Sequence, residues 1–141
     1  MAGKRTALRI SLLAVSAAIV AVFTLIIRIP SPIGGYISLC DAAVSFVAYA
    51  FGPFTGLISS ALGASMADLI GGYPQWAVIS AIVHGVEALV LGLIIKKSSS
   101  ILSMLLSIVV TIVIVAGGYL LLTTLFGLAT FSEAVAEVVG M

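Results

Sequence analysis

The chain has 141 residues, 62% of them hydrophobic and 8% charged, with a formal net charge of +1. A mean hydropathy of +1.38 is more than a single soluble domain requires, and the near-zero net charge removes any bulk electrostatic case for nucleic acid. Lipid is therefore the solvent, where a charged side chain at the bilayer centre costs about 2.5–3.5 kcal/mol, so Asp41, Asp68, His84 and Glu87 mark a polar site between helices.

A membrane span needs about 20 mostly apolar residues. Stretches 8–27, 54–70, 76–95 and 101–122 approach that length, and 36–51 forms a shorter fifth. No segment alternates apolar and polar residues as a barrel strand would. The expectation is an all-α integral membrane bundle of about five spans, folded as one domain. Lys4, Arg5 and Arg9 precede the first apolar run, which continues past the length of a secretory h-region and reads as an uncleaved helix. Five spans with a cytoplasmic N-terminus put both this basic cluster and Lys96-Lys97 inside, with Arg28 outside, as the positive-inside rule asks. Cys40 is the single cysteine, so no intramolecular disulfide forms and it reads as a small packing residue at a helix start.

In the first helix Ala14 and Ala18, and Ala17 and Ala21, lie four apart, spacings that let another helix approach closely, inside the bundle or from a second subunit. Pro30, Pro32, Gly34 and Gly35 read as an irregular outer loop that also holds Tyr36 and Ser38. Asp41 follows, as a cap of the second helix or part of a site. After the Phe51-Gly52-Pro53 turn, Gly56, Ser60, Ala64 and Asp68 alternate with Ser59, Gly63, Ala67 and Gly71, giving the third helix a face made of small residues. Asp68 ends that face, able to bond a neighbouring helix or frame a pocket. Beyond Gly71-Gly72-Tyr73-Pro74, the residues Trp76, Ser80, His84 and Glu87 share a sector of roughly 80° on the fourth helix. Trp76 suits either an interface anchor or a pocket wall. His84 and Glu87, at i and i+3, can pair for packing or serve a ligand or proton. The fifth helix carries Ser103, Ser107 and Thr111, then Tyr119 and Thr123. Residues 128–141 read as a short amphipathic tail or the start of an incomplete sixth helix, with Phe131, Val135 and Val138 opposite Glu133 and Glu137.

Enzyme signatures are missing from the sequence. It has one histidine, no His-Glu-x-x-His and no Gly-x-Ser-Gly turn. One histidine without a thiolate pair makes a weak metal site. ATP-driven work would fall to another polypeptide.

Gly34-Gly35-Tyr36-Ile37-Ser38-Leu39-Cys40-Asp41-Ala42, Phe51-Gly52-Pro53, the run from Gly63 to Ala67-Asp68-Leu69, Gly71-Gly72-Tyr73 and His84-Gly85-Val86-Glu87-Ala88-Leu89 together resemble one family. In order and spacing they are similar to the S component, the vitamin-binding membrane subunit, of energy-coupling factor (ECF) transporters, nearest the riboflavin- or hydroxymethylpyrimidine-type branch. The likeness runs from Leu8 to about Gly140, with histidine at position 84 where lysine is frequent. It implies no catalysis and no cofactor, and the cytoplasmic membrane of a prokaryote. It implies a substrate site between the first outer loop and the outer halves of helices four and five, drawing on Tyr36, Trp76, Ser80, His84, Glu87, Tyr119 and Thr123 and framed by Asp41 and Asp68. It implies a transmembrane T subunit docked on Ala14, Ala18 and Ala21, with ATPase subunits behind it. The family has six helices, and the sixth is expected to be missing here. An autonomous proton-coupled transporter or channel using Glu87 and His84, and a structural membrane fragment, stand as alternatives.

Overall fold

A computed structural model describes residues 2–30 and 36–140. Its elements are α1 (Ala2–Ile26), β1 (Arg28–Pro30), β2 (Tyr36–Ser38), α2 (Cys40–Phe51), α3 (Pro53–Gly71), α4 (Ala77–Lys97), α5 (Ile101–Leu125) and α6 (Phe131–Gly140). Four helices, α1, α3, α4 and α5, are long and apolar enough to cross a membrane, so this is a multi-pass membrane protein.

α3 is the hub, packed against α1, α2 and α4. Its two small-residue stripes divide the work. Ser59 and Gly63 face α1, with the Ser59 hydroxyl donating to the Leu13 carbonyl at 3.2 Å. Gly56 faces α2 and α4, where a Cβ would lie 3.1 Å from Ala48 Cα and 3.2 Å from Ala88 Cβ. Close backbone approach between small residues is the packing that lipid favours, since apolar side chains gain nothing there by leaving hydrocarbon. Around these contacts sits a buried core of Val20, Val44, Val47, Ala48, Ala64, Ala88 and Leu91.

The α2–α3 corner rests on Gly52, whose φ of 87° and ψ of 174° suit only glycine. Pro53 then opens α3 at a position where its missing N–H costs nothing. At the other end Gly72 is left-handed and its N–H returns to the carbonyls of Asp68 and Leu69.

The short second helix decides where the site lies. Its 12 residues rise only about 18 Å. Its C-terminus reaches the same end of the bundle as the last turns of α4, where Pro53 lies against Gly92. Its N-terminus stops beside His84, two turns inside α4. The half of this layer beside the first turns of α4 is therefore left to the chain before α2. That chain is not the irregular loop expected of it: β1 and β2 pair antiparallel, Arg28 with Ser38 and Ile29 with Ile37. Proline is tolerated at Pro30 because it ends an edge strand. Ser31, Pro32, Gly34 and Gly35 lie outside the described residues.

Arg28 pins this hairpin to α3. Its guanidinium donates to the carbonyls of Ala67, at 2.9 Å, and Gly71, at 3.3 Å, where the helix dipole favours a cation. The same group lies 4.6 Å from the Tyr36 ring centre and 5.8 Å from that of Tyr73.

α1, α3 and α5 run one way and α2 and α4 the other, so Lys4, Arg5 and Arg9 lie at the same end as Lys96 and Lys97. Cysteines introduced at exposed Gln75 and Ser99 will therefore react from opposite sides of the membrane, with buried Cys40 giving a low background. Labelling of both by one impermeant reagent from one side would break this arrangement.

α5 packs on α4 and α6 and leaves most of its apolar surface facing outward. α6 is a separate helix of 10 residues, rising about 15 Å, half a hydrocarbon thickness. Thr130 and Glu133 close its first turn reciprocally. The Thr130 N–H donates to Glu133 Oε2 at 2.8 Å, and the Glu133 N–H donates to the Thr130 hydroxyl at 3.4 Å. The Thr130 backbone N–H, with its hydroxyl, holds the Glu133 carboxyl below the usual range. Phe131 and Val135 stay exposed and Ala134 is buried, while the Glu137 side chain lies outside the described residues.

Candidate functional site

A cavity of about 130 Å³ opens above the N-terminus of α2. Thr24 of α1, Tyr36 to Ser38 of β2, Cys40 and Asp41 of α2, Ala64 and Asp68 of α3, Trp76, Ser80 and His84 at the start of α4, and Val115 and Tyr119 of α5 line it.

His84 organises one wall. Nδ1 lies 3.0 Å from Glu87 Oε2 and 3.3 Å from Asp41 Oδ1. Two carboxylates on that side place the ring proton on Nδ1. Nε2 is then the acceptor for the Tyr119 hydroxyl at 3.3 Å, which in turn accepts from Ser80 Oγ at 2.7 Å. Thr111 donates to the other oxygen of Glu87 at 3.2 Å. A chain of hydrogen bonds thus runs from α5 through the floor of the cavity to its aromatic wall. Asp41 Oδ1, His84 Nδ1 and Glu87 Oε2 fall within 4.8 Å of one another, a spacing a cation could also share. Of these contacts the His84–Glu87 one is a hydrogen bond, while Asp41 Oδ1 lies 3.3 Å from Nδ1 as an ion-pair contact.

Asp68 forms the opposite wall. One oxygen accepts a short hydrogen bond from the Tyr36 hydroxyl, and the other, Oδ2, is buried without a partner. Trp76 and Tyr119 close the remaining side with ring centres 6.1 Å apart.

Residues 4–140 match the family described as the ECF-type riboflavin transporter, S component. The chain belongs to that family. S components are the substrate-binding subunits of membrane transporters, not enzymes, and serve vitamin uptake. A relative from Pyrococcus woesei, described as an uncharacterized protein in gap 3′ region, is 38% identical over 74 residues, 52% of this chain. Those residues are 49% of the relative, so the match spans about half its length.

Of the residues singled out in this S component, Tyr36, Trp76, Ser80, His84, Tyr119, Asp41 and Asp68 all line the cavity. Two do not. Glu87 is fully buried beneath His84, one turn further along α4 toward its C-terminus. Thr123 turns its hydroxyl back onto the Tyr119 carbonyl of its own helix, at 2.6 Å. Asp41 does not cap α2: the residue before the helix is Leu39, and no side chain caps it. Instead the Ser38 hydroxyl accepts from the Cys40 N–H at 3.2 Å, leaving Asp41 to face His84. Trp76 is buried and is not an interface anchor.

The docking stripe also divides. Ala14 and Ala18 are exposed, but Ala21 is buried, because it sits at the edge of the face that turns Ala17 and Val20 toward Gly63. Thr24, Ile37, Ser38, Cys40, Ala64 and Val115 also line the cavity, although the sequence reading assigned none of them to the site. Thr24 was accessible from periodicity alone, one turn beyond Val20 on the buried face of α1.

Proposed function

We propose that this S component captures a vitamin or related small heterocyclic micronutrient from outside the cytoplasmic membrane of a prokaryote and passes it to an ECF module of a T subunit and ATPase subunits. The observation that carries this reading is the cavity left where α2 stops short, walled by Tyr36, Trp76 and Tyr119 and floored by the His84 network. A pocket with aromatic walls and a few fixed polar groups suits a small planar ligand.

In this reading Tyr36, Trp76, Ser80, His84 and Tyr119 meet the substrate and Asp41 and Asp68 frame it. Glu87 and Thr123 act from beneath, by holding His84 and Tyr119. The basic clusters near Lys4 and Lys96 set the N-terminus in the cytoplasm, which turns the cavity outward. Release follows if the ATPase subunits drive the bundle to a state that binds the ligand less well. Ala14 and Ala18, small and outward-facing, offer the T subunit a close approach.

Reconstitution with T and ATPase subunits will give ATP-dependent uptake of the small molecule that co-purifies with the chain. Ala18→Leu will abolish assembly while the isolated protein keeps its melting temperature. Uptake by the chain without ATPase subunits would overturn the proposal in favour of a proton-coupled carrier.

A further inference from the structure

Nearly all the cations of the bundle stand at one depth. Ser59 bonds to Leu13, and Gly63 presses on Ala17, so α1 and α3 run level and Pro53 stands opposite Ala7. Pro53 also lies against Gly92 of α4. At a rise of about 1.5 Å per residue, Lys4, Arg5 and Arg9 of α1 and Lys96 and Lys97 of α4 all fall within about 8 Å of the level of Pro53. These are five of the six Lys and Arg residues. All five are exposed, and none has an ion pair among the described residues. No described carboxylate side chain balances them there. Asp41 and Asp68 line the cavity at the other end, Glu87 is fully buried on His84, and Glu133 follows the end of α5 that lies beyond Tyr119.

A groove opens in this cationic band between the last turns of α2 and α4. Tyr49 and Phe51 form one side of it, Ile95 and Lys96 the other. The Tyr49 ring packs on the buried core, yet its hydroxyl has no hydrogen bond among the described residues. A free hydroxyl and an unpaired ammonium thus share one groove, with Phe51 and Phe54 exposed at the same corner. We propose that this groove holds the headgroup of an anionic phospholipid, with Lys96 and the Tyr49 hydroxyl donating to the phosphate oxygens and the acyl chains running along Phe51 and Ile95. Unpaired cations at the edge of the hydrocarbon attract anionic lipid, and hydrogen bonds to an ionised phosphate are the strong ones. The apolar flank decides between partners that share the charge. A free phosphate or an acidic protein segment has no use for exposed phenylalanines continuous with the lipid-facing surface, whereas a phospholipid brings both halves of the chemistry.

Native mass spectrometry of the purified chain, released from micelles holding equal amounts of phosphatidylglycerol and phosphatidylcholine, tests this. The chain will retain phosphatidylglycerol more than about tenfold over phosphatidylcholine. Tyr49→Phe removes a hydroxyl and no charge, and will cut that retention about tenfold, as loss of a hydrogen bond to a charged group does. Lys96→Gln will cut it at least as much. Lys4→Gln, the same change of charge outside the groove, will cut it less than either. Equal retention of the two lipids by the unaltered chain overturns the proposal without any variant. Equal losses in Lys4→Gln and Lys96→Gln, with none in Tyr49→Phe, overturn the groove in favour of diffuse attraction by the whole band. Displacement of the lipid by equimolar inorganic phosphate overturns the lipid assignment in favour of a free anion.

Discussion

Gly63→Val will lower the melting temperature by roughly 10 °C or more, the shift expected for about 3 kcal/mol in a chain of this size. A Cβ at Gly63 would lie 2.5 Å from the Ala17 carbonyl oxygen and 2.7 Å from Val20 Cβ. Neither neighbour can yield by rotating a side chain, because one is backbone and the other is branched at Cβ. The helices must separate, and overpacking of that kind costs about 1–3 kcal/mol or more even in soluble cores. Loss of α1–α3 contact also withdraws Thr24 from the cavity and loosens Arg28 on α3. Gly117→Ala is the matched control. A Cβ there meets nothing within 4 Å, so the change will be neutral or stabilising by up to about 1 kcal/mol, the helix advantage of alanine. Thermal denaturation followed by light scattering reads both. Equal melting temperatures for Gly63→Val and Gly117→Ala would show that α3 does not press on α1 as described.

The small-residue face of α3 was legible because its periodicity and chemistry agree: in lipid, a helix side made of glycine, serine and alanine has no use except close packing. The polar residues at membrane depth were legible for the same energetic reason, and seven of them, from Tyr36 to Tyr119, converge on one cavity. What the sequence concealed were directions and depths. Asp41 looked like a helix cap because it stands at a helix start, but the contact that orients it comes from His84, 43 positions later. Ala21 shares a spacing with Ala14 and Ala18, yet a few tens of degrees on the helix separate an outward side chain from a buried one. Glu87 falls in the same sector as Ser80 and His84, but a sector says nothing of depth, and Glu87 lies below the cavity floor. The hairpin was hidden by its prolines and glycines, which mark turns without revealing that the flanking residues pair.

The His84 network yields the other large effect. His84→Ala will destabilise the protein by about 3–5 kcal/mol, as removal of one partner from a buried charged cluster does. Glu87 is fully buried, and Asp41 faces the same ring nitrogen at 3.3 Å. Without the imidazole, the two carboxylates confront each other with no proton between them, and the Tyr119 hydroxyl loses its acceptor. Glu87→Gln will cost far less, about 1 kcal/mol, because the amide oxygen can still accept from Thr111 or from His84 while Asp41 remains beside Nδ1. The decisive measurement is the double variant His84→Leu/Glu87→Leu. Replacing a buried polar pair by apolar residues of similar volume is often neutral or stabilising, so the double variant will be more stable than His84→Ala alone, a non-additivity that independent sites do not show. Trp76, the one tryptophan, stands beside Tyr119 and reports unfolding of this region by its fluorescence. A double variant less stable than His84→Ala would show that the two residues do not act as a coupled pair. Their place beneath the cavity would then need another cause, and a proton path through Glu87 would become the better account of a carboxylate at that depth.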